Sequence, residues 1–449
     1  MSERVPDGHP RDRLRRALTL PDATLLVVAS VVGSGIFLTP GPIADRLPHP
    51  GLIFAVWMVG GLLSLAGALA NAELGAMYPR AGGDYVYLRE AFHPVAGFLV
   101  GWLSFFAIFA GTIATLGVGF AASLGVLLGL GEGATLPLAA ATIAACSVLN
   151  VAGVRASARV NNVIVGLKVA ALVAFAGIAP LTGAGRGENL LPLVAGAASV
   201  ATPLAFALAL SPVLFSYLGW NATVYVASEI RAPGRNLPRS LFLGLGLCTG
   251  LYLVLNAVYL YALPVPELRA SENAGESAAL VLFGPRGGAL LSGFVLASIL
   301  GTLNATVLVG PRIAYAMALD GLFPGVDRVH GRFGTPAAAI VAQAAVAVVL
   351  IAVLRSFPSA LDFTTFSIVV ATTADTLALY ALRRRQPHRA RPYRAWGYPW
   401  VPGLYLAANA AIALGLVVGR PREAATAALV LALGLPGYAW LRRRGAPRP

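Results

Sequence analysis

Charge is scarce in this chain. Only 12% of its 449 residues are charged, whereas 57% are apolar or aromatic and the mean hydropathy is +0.76. A chain with so few charges cannot cover a soluble globule with a polar surface. The sequence therefore predicts an all-α integral membrane protein, with the lipid bilayer as its main partner.

Cysteine is almost absent as well. Cys146 and Cys248 both lie inside apolar segments, and their spacing excludes a disulfide framework or a cysteine metal site. The five histidines fall in predicted loops or at the ends of spans, which argues against a buried histidine metal centre. We therefore expect no metal and no cofactor. The first twenty residues lack the apolar stretch of a cleaved signal peptide, so the first helix is expected to direct insertion.

Long apolar runs between polar breaks predict twelve transmembrane helices. The predicted spans are 22–45, 52–77, 96–129, 135–152, 160–182, 201–228, 240–263, 288–318, 337–354, 359–382, 400–419 and 423–441. Transporters are often built from two inverted repeats, each with one broken helix facing the substrate. We expect repeats at 22–182 and 201–382, two additional helices at 400–441, and tails at 1–21 and 442–449.

Arginine is unevenly distributed between the two sides of this predicted bundle. The side that holds both tails carries 24 arginines in its tails and loops, and the opposite loops carry seven. Because cytoplasmic loops are enriched in Lys and Arg, both termini are predicted to be cytoplasmic, in an inner-membrane protein. The net charge of +14 is then a topology signal that also attracts anionic lipid. No nucleic-acid partner is expected.

The first span contains a candidate helix break, in the run Gly33-Ser34-Gly35-Ile36-Phe37. This run lies about 17–20 Å into the span at 1.5 Å per residue, which is close to the bilayer midplane. Two glycines around a serine allow the helix to unwind, and the freed N–H groups could bind a carboxylate. Close packing of helices through small residues is the alternative interpretation.

The sixth span contains a second candidate break, in the run Phe215-Ser216-Tyr217-Leu218-Gly219-Trp220-Asn221. Pro212 precedes this run and loosens the helix. Carbonyl groups freed at the break could accept hydrogen bonds from an ammonium group, and Phe215 could close over the solute as a gate. A proline kink beside an aromatic packing cluster is the alternative.

Lys168 is the only lysine in the chain and lies within the fifth span, about 12 Å from its predicted cytoplasmic end. A charged group at that depth is costly and usually functional. It could bridge helices where other carriers hold Na⁺, whereas snorkelling to the head groups is the alternative. Among the other polar residues inside spans, Asn304 and Glu73 are the strongest candidates for a role in transport. An interhelical bond or an interfacial position is favoured for Arg312, Asp362 and Asp375.

Several of these motifs occur together in one known superfamily. Four groups of residues follow one another along the chain. They are the first break with Pro40; Glu73 with the run from Pro79 to Tyr85; the second break with Glu229-Ile230 and Arg235 to Arg239; and Gly301, Asn304, Arg312 and Asp320-Gly321. This pattern resembles the amino acid/polyamine/organocation (APC) permeases, and most closely the L-type amino acid exchangers and their bacterial relatives.

The resemblance implies a LeuT-like fold of 5+5 inverted helices, with broken first and sixth helices and two extra C-terminal helices. It further implies roles for particular residues. Gly33, Ser34, Gly35 and Ile36 would hold the substrate carboxylate, and carbonyls around Phe215, Ser216 and Leu218 would hold its amine, with Asn304 nearby. Gating or coupling roles would fall to Lys168 at the vacated sodium position, and to Phe215, Tyr217, Trp220 and Glu73.

Leu218 stands where relatives often carry Gly or an acidic residue, which predicts a bulkier and uncharged pocket. Small neutral L-amino acids such as alanine, serine, threonine or valine are the expected substrates. The expected function is sodium-independent secondary transport by alternating access, with exchange favoured. A proton-coupled symporter or a polyamine or cationic amino acid antiporter is the alternative.

A non-transporting membrane sensor of amino acids is a hypothesis of another class. An enzyme is not expected, because no buried nucleophile with a base and no acid and metal cluster is visible. Some relatives bind a single-span glycoprotein through an external cysteine. No cysteine lies in an external loop here, so no covalent partner subunit is expected.

Overall fold

The computed structural model describes residues 14–193, 203–271, 273–323, 325–354, 357–419 and 421–445. Across these ranges the protein is helical and has no strand; the one β-type contact is an isolated bridge between Leu18 and Ile230. The first helix begins at a capping box. Asp22 accepts from the backbone N–H of Thr19 at 2.8 Å, and the Thr19 hydroxyl accepts from the N–H of Asp22 at 3.4 Å.

The chain forms nineteen α-helices within the described residues. The first nine are α1 Leu20–Val31, α2 Gly35–Leu38, α3 Pro40–Arg46, α4 Pro50–Met77, α5 Asp84–Ala91, α6 Pro94–Leu103, α7 Ala110–Leu128, α8 Thr135–Val151 and α9 Val154–Ile178. The next eight are α10 Pro203–Ser216, α11 Ala222–Tyr225, α12 Pro233–Ala262, α13 Val265–Ala270, α14 Ala274–Val309, α15 Pro311–Leu319, α16 Ala337–Leu354 and α17 Phe357–Arg385. Two more complete the bundle, α18 Trp400–Gly419 and α19 Pro421–Gly445.

Nine helical segments of the described chain are long and apolar enough to cross a membrane, and three shorter apolar helices accompany them. Each of these segments overlaps one predicted span. The prediction of an all-helical membrane protein is confirmed at this level. Two short helices, α5 and α13, were not predicted, because each is only six to eight residues long and lies between apolar runs.

Two of the apolar segments are interrupted at the predicted positions. The first separates into α1, α2 and α3, with irregular backbone at Val32 to Ser34. The second separates into α10 and α11, with turns from Tyr217 to Asn221. A third irregularity is the π-helical turn Ser104–Phe109, which joins α6 to α7. Turns of this kind often lie at functional sites.

The interior of the bundle surrounds these interruptions. Helix α12 packs along α4 and α1, and α14 packs against α7, α9 and α1. Helices α18 and α19 lie on the outside, where they contact α4, α6 and α17 and leave most of their surface exposed. The broken helices are therefore central, and the two C-terminal helices form an outer layer.

Candidate functional site

The break after α1 leaves hydrogen-bond donors without partners. The N–H groups of Ser34, Gly35 and Ile36 open the short helix α2, and no backbone acceptor among the described residues takes them. The hydrogen bonds resume at Phe37, whose N–H donates to Ser34 O at 3.1 Å. A helix start with free N–H groups attracts an anion. This segment therefore leaves three backbone N–H donors available for a bound group.

The break after α10 depends on Gly219, whose φ of +93° is unfavourable for any residue with a side chain. A Cβ on Gly219 would also lie 2.7 Å from the carbonyl oxygen of Ser30, so the backbones of the two breaks touch. Gly35 makes a second close approach, because its Cβ would lie 2.8 Å from the Cα of Ser216. Glycine at both positions lets the two broken helices meet.

A hydroxyl group joins the two breaks. The single O–H of Tyr252 on α12 lies 2.9 Å from Val31 O and 2.8 Å from Ser216 O, so its proton is shared between the two carbonyls. The hydroxyls of Thr39 and Ser216 lie 3.0 Å apart and add a second link. The carbonyls that each break frees are thus partly satisfied by side chains from neighbouring helices.

A cavity of about 130 Å³ opens beside these breaks. Because a single water needs only roughly 10–15 Å³, the cavity has room for a small solute. Its described lining is uncharged: Ser30, Val31, Gly33, Ser34, Gly35, Ile108, Phe109, Thr112, Thr115, Leu116, Phe215, Ser216, Leu218, Gly219, Asn221, Ala222, Tyr225, Thr302, Thr306, Val309, Thr364, Thr365, Ile368, Ala371 and Thr372. Free N–H groups, hydroxyls and apolar side chains therefore lie around one cavity.

Comparison with known proteins identifies the family of the chain. A family model described as amino acid permease matches residues 18–433. The chain belongs to the amino acid permease family. The resemblance to APC permeases related to the L-type exchangers is confirmed, and the protein is a transporter and not an enzyme.

Three relatives show how far the similarity extends. The serine/threonine exchanger SteT of Bacillus subtilis (strain 168) is 30% identical to the permease over 447 residues, which cover 98% of this chain and all of that protein. The human Asc-type amino acid transporter 1 is 28% identical, and the match covers 96% of this chain and 83% of the transporter. The human b(0,+)-type amino acid transporter 1 is also 28% identical, and the match covers 85% of this chain and 79% of that transporter.

Most of the substrate-binding residues predicted from the sequence line the cavity of the permease. These are Gly33, Ser34, Gly35, Phe215, Ser216 and Leu218. Ile36 contributes its N–H at the start of α2, but its side chain is fully buried away from the cavity. Asn304 lies outside the lining, because its Oδ1 accepts from the amide of Asn150 on α8 at 3.0 Å.

The residues predicted for gating or coupling are more dispersed. Lys168 is buried, and its ammonium donates to the carbonyls of Val32, inside the first break, and of Ser298 on α14. Tyr217 lies outside the cavity and donates to Trp57 O at 3.2 Å. Trp220 lines a smaller neighbouring cavity and packs against Tyr405.

Glu73 is remote from the cavity, although it is fully buried in α4. Its carboxylate binds Arg383 at 2.6 Å, Arg391 at 3.1 Å and the N–H of Ala395 at 2.6 Å. It therefore anchors the segment between α17 and α18. Within the described part of the chain, these hydrogen bonds and ion pairs connect Glu73 to no residue of the cavity lining.

Arg312 makes a buried ion pair, donating through Nε to Glu229 at 2.7 Å, as expected for an interhelical bond. Asp375 is also fully buried, in α17. The side chain of Asp362 lies outside the described part of the chain.

Sequence reasoning missed several polar lining residues. Thr302 and Thr306 project from α14 one and two turns after Ser298, and Thr302 donates to Ala29 O at 2.9 Å. The i, i+4, i+8 spacing of these three hydroxyls along an apolar helix is a signal that could have found them. Thr112 and Thr115 of α7 lie just after the π-helical turn and had no such signal.

Proposed function

We propose that the permease exchanges small neutral amino acids across the inner membrane by alternating access, without sodium. The observation that carries this proposal is the uncharged cavity at the meeting point of two broken helices. A zwitterion needs donors for its carboxylate and acceptors for its ammonium, and a neutral side chain needs neither a cation nor an anion beside it.

The carboxylate is proposed to bind the free N–H groups of Ser34, Gly35 and Ile36. These groups converge at the start of α2, where aligned peptide dipoles also favour negative charge. The Ser34 side chain lines the same wall of the cavity.

The ammonium is proposed to bind carbonyls at the second break. The carbonyl of Phe215 already accepts from Leu218 N at 3.1 Å, and that of Ser216 accepts from Tyr252. Each carbonyl has a second lone pair that can accept from an ammonium group. Phe215 is half-buried and lines the cavity, and it is proposed as the gate.

Sodium independence is proposed from the position of Lys168. Its ammonium donates to carbonyls of the first break and of α14, and so supplies at that point the positive charge that a bound cation would supply. A second cation there would be repelled.

The proposed architecture is twelve transmembrane helices in a 5+5 inverted repeat with two further helices and both termini in the cytoplasm. The helices before and after the break at Gly33 and those around Gly219 would move together as one bundle. Exchange is favoured over proton symport because the Bacillus subtilis relative is named a serine/threonine exchanger.

The test is uptake of radiolabelled alanine into sodium-free liposomes that contain the purified protein, with and without internal alanine. Uptake that requires internal alanine supports exchange. Uptake into empty vesicles driven by an inward proton gradient would instead establish a symporter. Competition by arginine but not by serine or threonine would favour a cationic amino acid antiporter, and binding without any flux would favour a sensor.

A further inference from the structure

Two carboxyl groups meet inside the bundle, beside the cavity. Asp84 begins α5 and Asp375 lies in α17, and both side chains are fully buried. The two carboxyls lie within hydrogen-bonding reach of one another. Two adjacent negative charges in an apolar interior repel strongly, so at least one of the pair has to carry a proton.

The donors around the pair indicate which carboxyl is ionised. Asp84 Oδ2 accepts from the Tyr225 hydroxyl at 2.5 Å and from the Ser104 hydroxyl at 3.4 Å. Both donors stabilise a carboxylate at Asp84. Its other oxygen, Oδ1, is buried and has no donor from the described chain.

Asp375 has weaker donors around it. Both of its oxygens are buried and no described hydroxyl donates to them, although the neutral amide of Asn71 lies close enough to donate. No described Lys or Arg forms an ion pair with either carboxyl. A proton on Asp375 that is donated to Asp84 Oδ1 supplies that oxygen with its missing donor and removes the second charge.

The groups that face the pair are neutral. They are Asn71 of α4, Tyr87 of α5, Ser104 of the π-helical turn, Tyr225 of α11 and Tyr405 of α18. The Tyr87 hydroxyl is fully buried, lies near both carboxyls and has no partner in the described structure.

We propose that Asp84 and Asp375 form a proton-binding site that holds one shared proton and is linked to the substrate cavity through Tyr225. Tyr225 lines the cavity, and its hydroxyl reaches Asp84. A solute that displaces the Tyr225 ring weakens or breaks the hydrogen bond from Tyr225 to Asp84. The affinity of the carboxyl pair for its proton then changes. The link rests on the proposed function, whereas the proton site does not.

The proton site is tested by infrared spectroscopy of the purified protein at neutral pH, in H₂O and in D₂O. We expect the wild type to show the carbonyl stretch of a protonated carboxylic acid, shifted in D₂O. Asp375→Asn should lose the contribution of one acid, because its amide has the same shape and donates to Asp84 without titrating. Glu188→Gln, which removes an exposed carboxylate, is the matched control and should keep the band.

A wild-type spectrum without a protonated acid would overturn the site without recourse to any variant. A band of undiminished strength in Asp375→Asn would overturn it as well.

The link is tested by adding an amino acid whose binding is first established by thermal stabilisation of the wild type. We expect the acid band to move in the wild type and to stay in place in Tyr225→Phe. Equal movement in both proteins, or none in the wild type, would refute the link. If no amino acid binds, the proposed function and the link both fail, while an intact acid band still supports the proton site.

Discussion

Gly35→Ala offers a sharp test of how the two broken helices meet. The added Cβ would lie 2.7 Å from Ser216 Oγ and 2.8 Å from Ser216 Cα, and backbone atoms cannot move aside as a side chain can. Overpacking of this kind costs about 1–3 kcal/mol. Borne in full by the substrate-bound state, this strain would lower the apparent affinity for alanine roughly 5- to 150-fold, since 1.4 kcal/mol is a tenfold change.

Gly246→Ala, on α12 and outside the cavity lining, is the matched control. A Cβ at Gly246 would meet no described heavy atom within 4 Å outside its own helix. This variant should stay within about threefold of the wild type, because it causes no overpacking. The assay is concentration-dependent exchange of radiolabelled alanine in liposomes, after equal insertion of both variants is confirmed. Equal effects of the two substitutions, or none at Gly35, would refute the argument from close approach.

Three further predictions concern the surroundings of the cavity. Arg312→Ala leaves the Glu229 carboxylate buried without its partner, so the free energy of unfolding in detergent should fall by about 3–5 kcal/mol. Adding Glu229→Gln should restore part of this loss, and no recovery in the double variant would contradict the prediction. Tyr252→Phe removes the one hydroxyl proton that the two breaks share, so the free energy of unfolding should fall by roughly 0.5–1.5 kcal/mol and exchange should slow. An unchanged exchange rate would count against the tyrosine as a link. Leu218→Ala should let amino acids with larger neutral side chains compete with alanine, because Leu218 lines both the main cavity and the smaller cavity beside Trp220. The measurement is competition by leucine against alanine uptake, and an unaltered competition profile would show that Leu218 does not limit the size of the substrate.

The broken helices were predictable because their causes are local. Gly33 and Gly35 around a serine, and Pro212 before a glycine, weaken a helix wherever the chain places them. The long apolar spans were predictable for the same reason, since hydropathy is a property of consecutive residues.

Contacts between distant segments were not predictable in this way. Nothing in the sequence pairs Asp84 with Asp375, or Glu73 with Arg383, because such pairs depend on which helices become neighbours. Tyr252 illustrates the same limit. An aromatic residue in an apolar run predicts packing, and only the three-dimensional structure brings its hydroxyl to the carbonyls of two other helices.

The π-helical turn Ser104–Phe109 also constrains how this chain can evolve. A π-helical turn amounts to an extra residue in an α-helix, and each residue of an α-helix turns the face by about 100°. Deleting one residue from this turn would leave a continuous helix of adequate length and hydropathy. It would nevertheless rotate Thr112, Thr115 and Leu116 away from the cavity that they line. Substitutions in this segment can therefore be compensated by neighbouring residues, whereas a single deletion changes the wall of the cavity as a whole.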